Sequence, residues 1–115
     1  MDTITYSMEV NLIMKNIMDL YPEVSQSFFD LTKTVTKSST ISSKNKELIL
    51  IGIFTANRGE KGLHTHVNRA LNQGVPISDI FSTILLTLPV IGITNVTLAF
   101  DCVVNIIKEK NCENN

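Results

Sequence analysis

Two titratable residues, Glu47 and His66, stand where helical patterns would place apolar side chains. Three apolar residues follow the glutamate at the spacing of one helix face: Leu50, Ile51 and Phe54. A carboxylate and an imidazole removed from water can form a proton relay, because burial and mutual attraction move their pKa values towards the working range. The same two groups can also form a purely structural ion pair, and the spacing leaves both interpretations open.

The sequence around His66 predicts a second helix with the imidazole on its apolar face. The apolar series on that face is Leu63, Val67, Ala70 and Leu71. Small residues, Gly62 and Ala70, lie one helical turn on either side of the histidine. Their size predicts open space beside the imidazole, in a pocket between this helix and the one that carries Glu47.

A metal site and a disulfide are both disfavoured by spacing. His64 and His66 would form a metal-binding pair on a strand, but two residues on a helix are turned about 200° apart, so the two rings point away from each other. Cys102 follows an apolar pattern and is interpreted as an inert core residue, whereas Cys112 lies in a polar tail. The sequence therefore predicts no metal and no cofactor.

The composition places the chain among ordinary globular domains. Its 115 residues predict a single domain over residues 1–115. Because 43% of residues are hydrophobic and only 18% are charged, part of the apolar surface is expected to be covered by association into a homo-oligomer. A net charge of -1 without a dense basic cluster predicts no nucleic-acid partner.

The chain is expected to be cytoplasmic and to have no membrane partner. Its first residues include Asp2 and lack the basic-then-apolar pattern of a secretory signal. Residues 80–100 carry no charge and are about as long as a membrane span, which needs roughly 20 residues. Pro89 and Gly92 interrupt this stretch, and several of its residues are polar. It is therefore predicted to be two core helices joined by a corner.

Apolar periodicity predicts an all-α fold of about six helices. The first two form a helical hairpin, with stripes at positions 10–21 and 24–35, and residues 32–43 form a connection. Ser42 or Ser43 is a plausible N-cap for a third helix over about residues 44–57. The fourth helix ends before Gly74, the fifth begins near Ile77, and the sixth covers about residues 94–110.

The residues of the third and fourth helices resemble the carboxymuconolactone decarboxylase-like family, which includes the alkylhydroperoxidase D proteins. The resemblance is carried by four short stretches: Lys46-Glu47-Leu48, Ala56-Asn57, His66-Val67 with Arg69-Ala70-Leu71, and Gly74-Val75. It is strongest over residues 44–74 and extends to about residue 100, so the motif core is 44–100. It implies an alkylhydroperoxidase D-like helical domain that assembles into trimers or hexamers.

The chain departs from the peroxidase members of that family. They carry a Cys-x-x-Cys pair just before the histidine, where this chain has Gly59 and Gly62. Thiol-based peroxide reduction needs a thiolate and a second, resolving thiol, and glycine supplies neither. Only Glu47 and His66 carry over from the motif, as the pair that would deprotonate the reactive cysteine.

The decarboxylase members work without the cysteine pair and without a cofactor, so they imply an acid/base enzyme. They place a further histidine in the fifth helix, where this chain has Leu86-Thr87-Leu88, and often lack the glutamate. The expected reaction is decarboxylation of a small carboxylated lactone or a related acid. His66 would be the catalytic acid and Glu47 would orient it, while Arg58 or Arg69 would bind the substrate carboxylate. Two alternatives remain: a peroxidase-type oxidoreductase that uses Cys102, and a non-catalytic binding module.

Overall fold

The computed structural model describes residues 14–113, and every regular element in that range is a helix. The helices are α1 (residues 14–20), α2 (Pro22–Ser38), α3 (Ser43–Ala56), α4 (Glu60–Asn72), α5 (Ile77–Leu86), α6 (Leu88–Ile91) and α7 (Ile93–Glu113). The all-α prediction is confirmed. The start of the predicted first helix, with Val10 and Ile13, lies outside the described residues.

The chain divides into two compact units, Met1–Ile41 and Ser42–Asn115. In the second unit α3 packs mainly against α4 and α5, and α7 packs against α4 and α5 in turn. The buried apolar residues of this unit form one core: Ile51, Leu63, Val67, Ala70, Val75, Ile80, Ile84, Val96, Ala99, Val103 and Ile106. The single domain expected over residues 1–115 stays a prediction.

Helix α2 is longer than the sequence pattern indicated. Residues 32–38 were expected to belong to a connection, and this is wrong because the helix continues to Ser38. The hydroxyl groups of Thr32, Thr34 and Ser38 each donate to the carbonyl four residues earlier, at 2.9–3.0 Å. Such bonds let serine and threonine satisfy their side chains inside a helix, so their accumulation did not end it.

Helix α3 begins where the capping rule placed its start. Ser42 has an extended backbone, and its hydroxyl accepts a hydrogen bond from the Asn45 N–H at 3.2 Å. This bond satisfies one of the amide groups that a helix leaves without an internal partner at its N-terminus. The β-branched run in α3 is helical, and Ile51 at its centre is fully buried.

Helix α4 ends in a Schellman motif at Gly74, as the glycine predicted. Gly74 has a φ of 82°, in the left-handed region that favours glycine. Its N–H donates to the Leu71 carbonyl, and the Val75 N–H donates to the Ala70 carbonyl, both at 3.0 Å. The buried side chains of Val75 and Ala70 supply the apolar contact that accompanies this motif.

The uncharged stretch at residues 80–100 is divided among three helices, so the predicted corner is confirmed. The four-residue helix α6, which the sequence did not indicate, occupies the corner and starts with Leu88 and Pro89. Proline is tolerated in a first turn because its missing N–H has no helical partner there. Gly92, with a φ of 87°, separates α6 from α7. Within residues 14–113, no helix combines the length and apolar character needed to cross a membrane.

Candidate active site

The structure brings Glu47 and His66 together across the interface of α3 and α4. Glu47 lies one turn into α3 and His66 lies in the middle of α4. The His66 Nδ1 and Glu47 Oε2 atoms are 2.6 Å apart, which is a short, charge-assisted hydrogen-bond distance. The side chain of Glu47 is 1% exposed and that of His66 is 13% exposed. The imidazole is therefore the less buried member of the pair.

Positive charge keeps the buried Glu47 carboxylate ionised. Burial raises the pKa of Glu47, but the hydrogen bond from His66 and the positive charges of His66, Lys46 and Arg69 outweigh burial and hold the pKa below its ordinary value of 4.5. The Lys46 Nζ lies 3.6 Å from Glu47 Oε1. An ionised carboxylate accepts hydrogen bonds, so Nδ1 of His66 carries the shared proton and Nε2 is left for other chemistry.

The space predicted beside the imidazole is filled by Phe54, so that prediction is wrong. The Phe54 and His66 rings are stacked, with centroids 5.4 Å apart and planes 14° apart. A Cβ atom added at Gly59 or at Gly62 would overlap the Phe54 ring. The two glycines thus accommodate an aromatic ring, at the positions where the resemblance would place a cysteine pair.

A cleft of about 340 Å³ opens between the end of α3, the start of α4 and α7. Its polar lining residues are Thr55, Arg58, Glu60, Asn95, Asp101, Cys102 and Asn105. The expected pocket between α3 and α4 would have held Glu47 and His66, but neither residue lines this cleft. Phe54 stacks on His66 at the α3–α4 interface and also lines this cleft, and a pocket around the Glu47–His66 pair stays a prediction.

The two arginines expected to bind a substrate lie in different environments. Arg58 is exposed, lines the cleft, and has a φ of 57° in the turn between α3 and α4. Arg69 is only 6% exposed, and its charge acts on Glu47. A direct contact between either arginine and a ligand stays a prediction.

The two histidines of the His64-x-His66 sequence have different neighbours. Nδ1 of His64 is 3.0 Å from the Asn68 side-chain nitrogen, and its Nε2 is 3.9 Å from Glu109 of α7. His66 instead bonds to Glu47 of α3. In the part of the chain that the structure describes, no group of three or more His, Cys, Asp or Glu side chains is placed to hold a metal ion.

Cys102 lies at the cleft but is poorly suited to act as a nucleophile. Burial, followed by the negative charges of Glu60 and Glu109, raises the pKa of the Cys102 thiol above its ordinary value of 9.0. The thiol is therefore protonated at neutral pH, and the thiolate is the reactive form. Cys102 and Cys112 are both free, and Cys112 is exposed.

Some residues of this region were not singled out from the sequence. Asn95, Asp101 and Asn105 line the cleft, yet nothing in the local pattern of α7 distinguishes them from surface residues. Phe54 was assigned only to an apolar stripe. A usable signal did exist, since two glycines one turn apart at the start of a helix predict that a bulky group from a neighbouring element packs there.

Comparison with protein families gives one match. The model of the carboxymuconolactone decarboxylase family matches residues 22–104 of the chain. The matched range contains both Glu47 and His66. No curated protein and no solved structure matches the chain.

Proposed function

Because the chain belongs to the carboxymuconolactone decarboxylase family, we propose that it is an acid/base enzyme that acts, without a cofactor, on a small carboxylated lactone or a related acid. The observation that carries the proposal is the 2.6 Å contact between the His66 imidazole and the buried Glu47 carboxylate. A carboxylate that holds the orientation of an imidazole and stabilises its protonated form commonly prepares a histidine for proton transfer.

In the proposed reaction, the substrate carboxylate lies β to a carbonyl group. The bond between the carboxylate carbon and the ring carbon breaks, carbon dioxide leaves, and the electron pair passes to the carbonyl oxygen as an enolate. The protonated His66 then delivers the proton on Nε2 to the ring carbon, and the imidazole regains a proton from water. Glu47 stabilises the imidazolium and holds its Nδ1–H, so it orients the acid without giving up a proton itself.

The arginines have separate roles in this proposal. Arg58 lines the cleft and is exposed, so it is the arginine that would meet the substrate carboxylate. Arg69 is buried and its charge helps to keep Glu47 ionised. Arg69 therefore supports the Glu47–His66 pair electrostatically, while substrate recognition falls to Arg58.

The proposal is tested with a panel of small carboxylated lactones, following carbon dioxide release by the wild type and by His66→Gln. General acid catalysis contributes about 10²-fold or more, so His66→Gln is expected to lose at least that factor in kcat/KM. His64→Gln is the matched control, because His64 is exposed and does not contact Glu47. Turnover that survives intact in His66→Gln would contradict the proposed mechanism.

Of the two alternatives, the binding module has an observation in its favour. The cleft does not include His66, so a ligand could bind there without reaching the imidazole. A ligand that raises the melting temperature with no turnover would favour this reading. The peroxidase alternative is less well supported, because the raised pKa of the Cys102 thiol keeps it protonated.

A further inference from the structure

Phe54 contacts His66 of the proposed acid/base pair and also lines the cleft. Its ring stacks on the imidazole of His66, and the same side chain borders the open space beside α7. Glu47 and His66 themselves do not border that space. The Phe54 side chain therefore links the cleft to the imidazole.

We propose that this cleft binds the small ligand of the protein, and that Phe54 is a positioning residue which must turn aside for the ligand to reach His66. This inference rests on the proposed function, because it gives the acid/base pair its substrate site. The Phe54 side chain turns about only two torsions and is half-buried, so a change of rotamer is the simplest way to displace its ring. Displacing the ring would join the cleft and the imidazole into one site.

The lining of the cleft indicates a small ligand with a carboxylate at one end. Arg58 is the one cation among the described lining residues, while Glu60 and Asp101 repel a second negative charge nearby. The amide group of Asn105 is available to a carbonyl or hydroxyl. Asn95 donates from its Nδ2 to the Ala56 carbonyl at 3.1 Å, which leaves its Oδ1 to accept from a hydroxyl. The remaining lining is mostly apolar. The volume of about 340 Å³ is suited to a small molecule.

The backbone at Arg58 supports a role for its side chain. A φ of 57° lies in the left-handed region, where a residue with a Cβ atom is less stable than glycine by roughly 1–2 kcal/mol. Such strain is found preferentially at functional positions. Within residues 14–113 no ion pair involves Arg58, so its guanidinium can meet an anion in the cleft.

The gating role is tested by the reaction of the two histidines with diethyl pyrocarbonate, followed site by site with mass spectrometry. His64 is the internal reference, because its side chain is exposed and its contacts are with Asn68 and Glu109. If the ring is displaced in about one molecule in ten, Phe54→Ala should speed the His66 reaction about tenfold and leave His64 unchanged. An unchanged ratio of the His66 and His64 rates would overturn the role of Phe54.

Gly62→Ala gives an independent route to the same displacement. The added Cβ overlaps the Phe54 ring, so the ring must move off the imidazole, and alanine favours helix α4. This variant should also speed the His66 reaction, and it decides the question if Phe54→Ala fails to fold. Gly52→Ala is the control, since its Cβ would meet neighbours only at 3.9 Å or more.

Binding in the cleft is tested separately with 2-furoate, a flat five-membered ring that bears one carboxylate. In the wild type, furoate should shift the amide NMR signals of residues that line the cleft, and Arg58→Gln should abolish those shifts. Lys61→Gln is the control, because Lys61 is an exposed neighbouring cation outside the cleft. Furoate shifts that are absent from the cleft, or unchanged in Arg58→Gln, would overturn the binding site.

These readouts do not require turnover, so they separate the two proposals. If furoate binds at Arg58 and the Phe54 variants expose His66, the inference stands even when every lactone fails as a substrate. In that case the proposed reaction would be wrong and the cleft would remain a ligand site. If lactones turn over but furoate and the Phe54 variants give no effect, the reaction stands and the inference is wrong.

Discussion

At the scale of single residues, Glu47 shows how a charge can be kept inside a small protein. Burial alone would favour the protonated acid, yet its hydrogen bond to His66 and the charges of Lys46 and Arg69 favour the carboxylate. This balance suits the orienting role proposed for Glu47, because its lowered pKa keeps the carboxylate ionised at neutral pH.

The lowered pKa of Glu47 predicts a pH-dependent stability difference between the wild type and Glu47→Gln. A carboxyl group whose pKa is lower in the folded state contributes stability above its unfolded pKa, and loses it as the pH falls through the folded value. The advantage of the wild type should therefore be complete above about pH 4.5 and shrink below it. Urea denaturation at several pH values measures this difference, and a constant difference across that window would contradict it.

Cys102 gives a second prediction at this scale. Because its thiol has a raised pKa and is half-buried, it should react with iodoacetamide at neutral pH more slowly than the exposed Cys112. The control is the urea-unfolded chain, in which both cysteines should react at similar rates. Faster alkylation of Cys102 in the folded protein, or peroxide consumption lost in Cys102→Ser, would revive the peroxidase alternative.

At the scale of elements, the ends of α3 and α4 hold the Glu47–His66 pair in register. Ser42 fixes the start of α3 five residues before Glu47, and the Schellman motif at Gly74 fixes the end of α4. Both signals depend only on neighbouring residues, so the start of α3 and the end of α4 are each fixed at a defined residue. The 2.6 Å contact then depends on how the two helices pack.

The cap of α3 predicts a loss of stability in Ser42→Ala. Removing the hydroxyl leaves the Asn45 N–H without its acceptor, which costs about 1 kcal/mol of unfolding free energy. Ser43→Ala is the matched control, because Ser43 is the first residue of the helix and makes no capping bond. Chemical denaturation compares the two variants, and equal losses would show that the cap is not formed.

Two glycines predict opposite effects of the same substitution. Gly74→Ala forces alanine into the left-handed region and should destabilise the protein by roughly 1–2 kcal/mol. Gly52→Ala lies inside α3 with space for a methyl group, and should stabilise it by about 0.5–1 kcal/mol. Thermal unfolding of both variants checks the pair, and a shift of the same sign in both would contradict the expectation.

At the scale of the whole molecule, α2 carries one of several sets of exposed apolar side chains. Val24, Phe28, Leu31 and Val35 follow one face of this helix and are 49–60% exposed in the isolated chain. A contiguous apolar face of this kind usually contacts a partner. A second copy of the chain is our proposed partner, since a net charge of -1 gives little repulsion between copies.

The proposed homo-oligomer predicts a mass several times that of one chain in sedimentation experiments, a trimer or a hexamer by the family resemblance. Leu31→Glu places a charge in the apolar face and should reduce that mass. Lys33→Glu is the matched control, because Lys33 is exposed on the same helix and lies outside the stripe. A monomeric wild type, or equal effects of the two substitutions, would rule out this interface.

The sequence by itself determined the features that depend on a few neighbouring residues. Apolar periodicity placed α3, α4, α5 and α7, and local hydrogen-bonding rules placed the Ser42 cap and the Gly74 end. It also indicated that Glu47 and His66 would meet, because two titratable groups on apolar faces are stable only as partners. The hydroxyl-rich end of α2 was misread, since local composition does not show whether a threonine bonds inside a helix or ends it.

Only the tertiary structure decided which side chains share a space. No sequence pattern connects Phe54 with Gly59 and Gly62. The packing of α3 on α4 places the Phe54 ring against both glycines and on the imidazole of His66. Arg58 and Arg69 are chemically alike, yet packing buries one beside Glu47 and leaves the other in the cleft. These outcomes depend on contacts between residues far apart in the chain, and no local rule specifies how helices fill the volume between them.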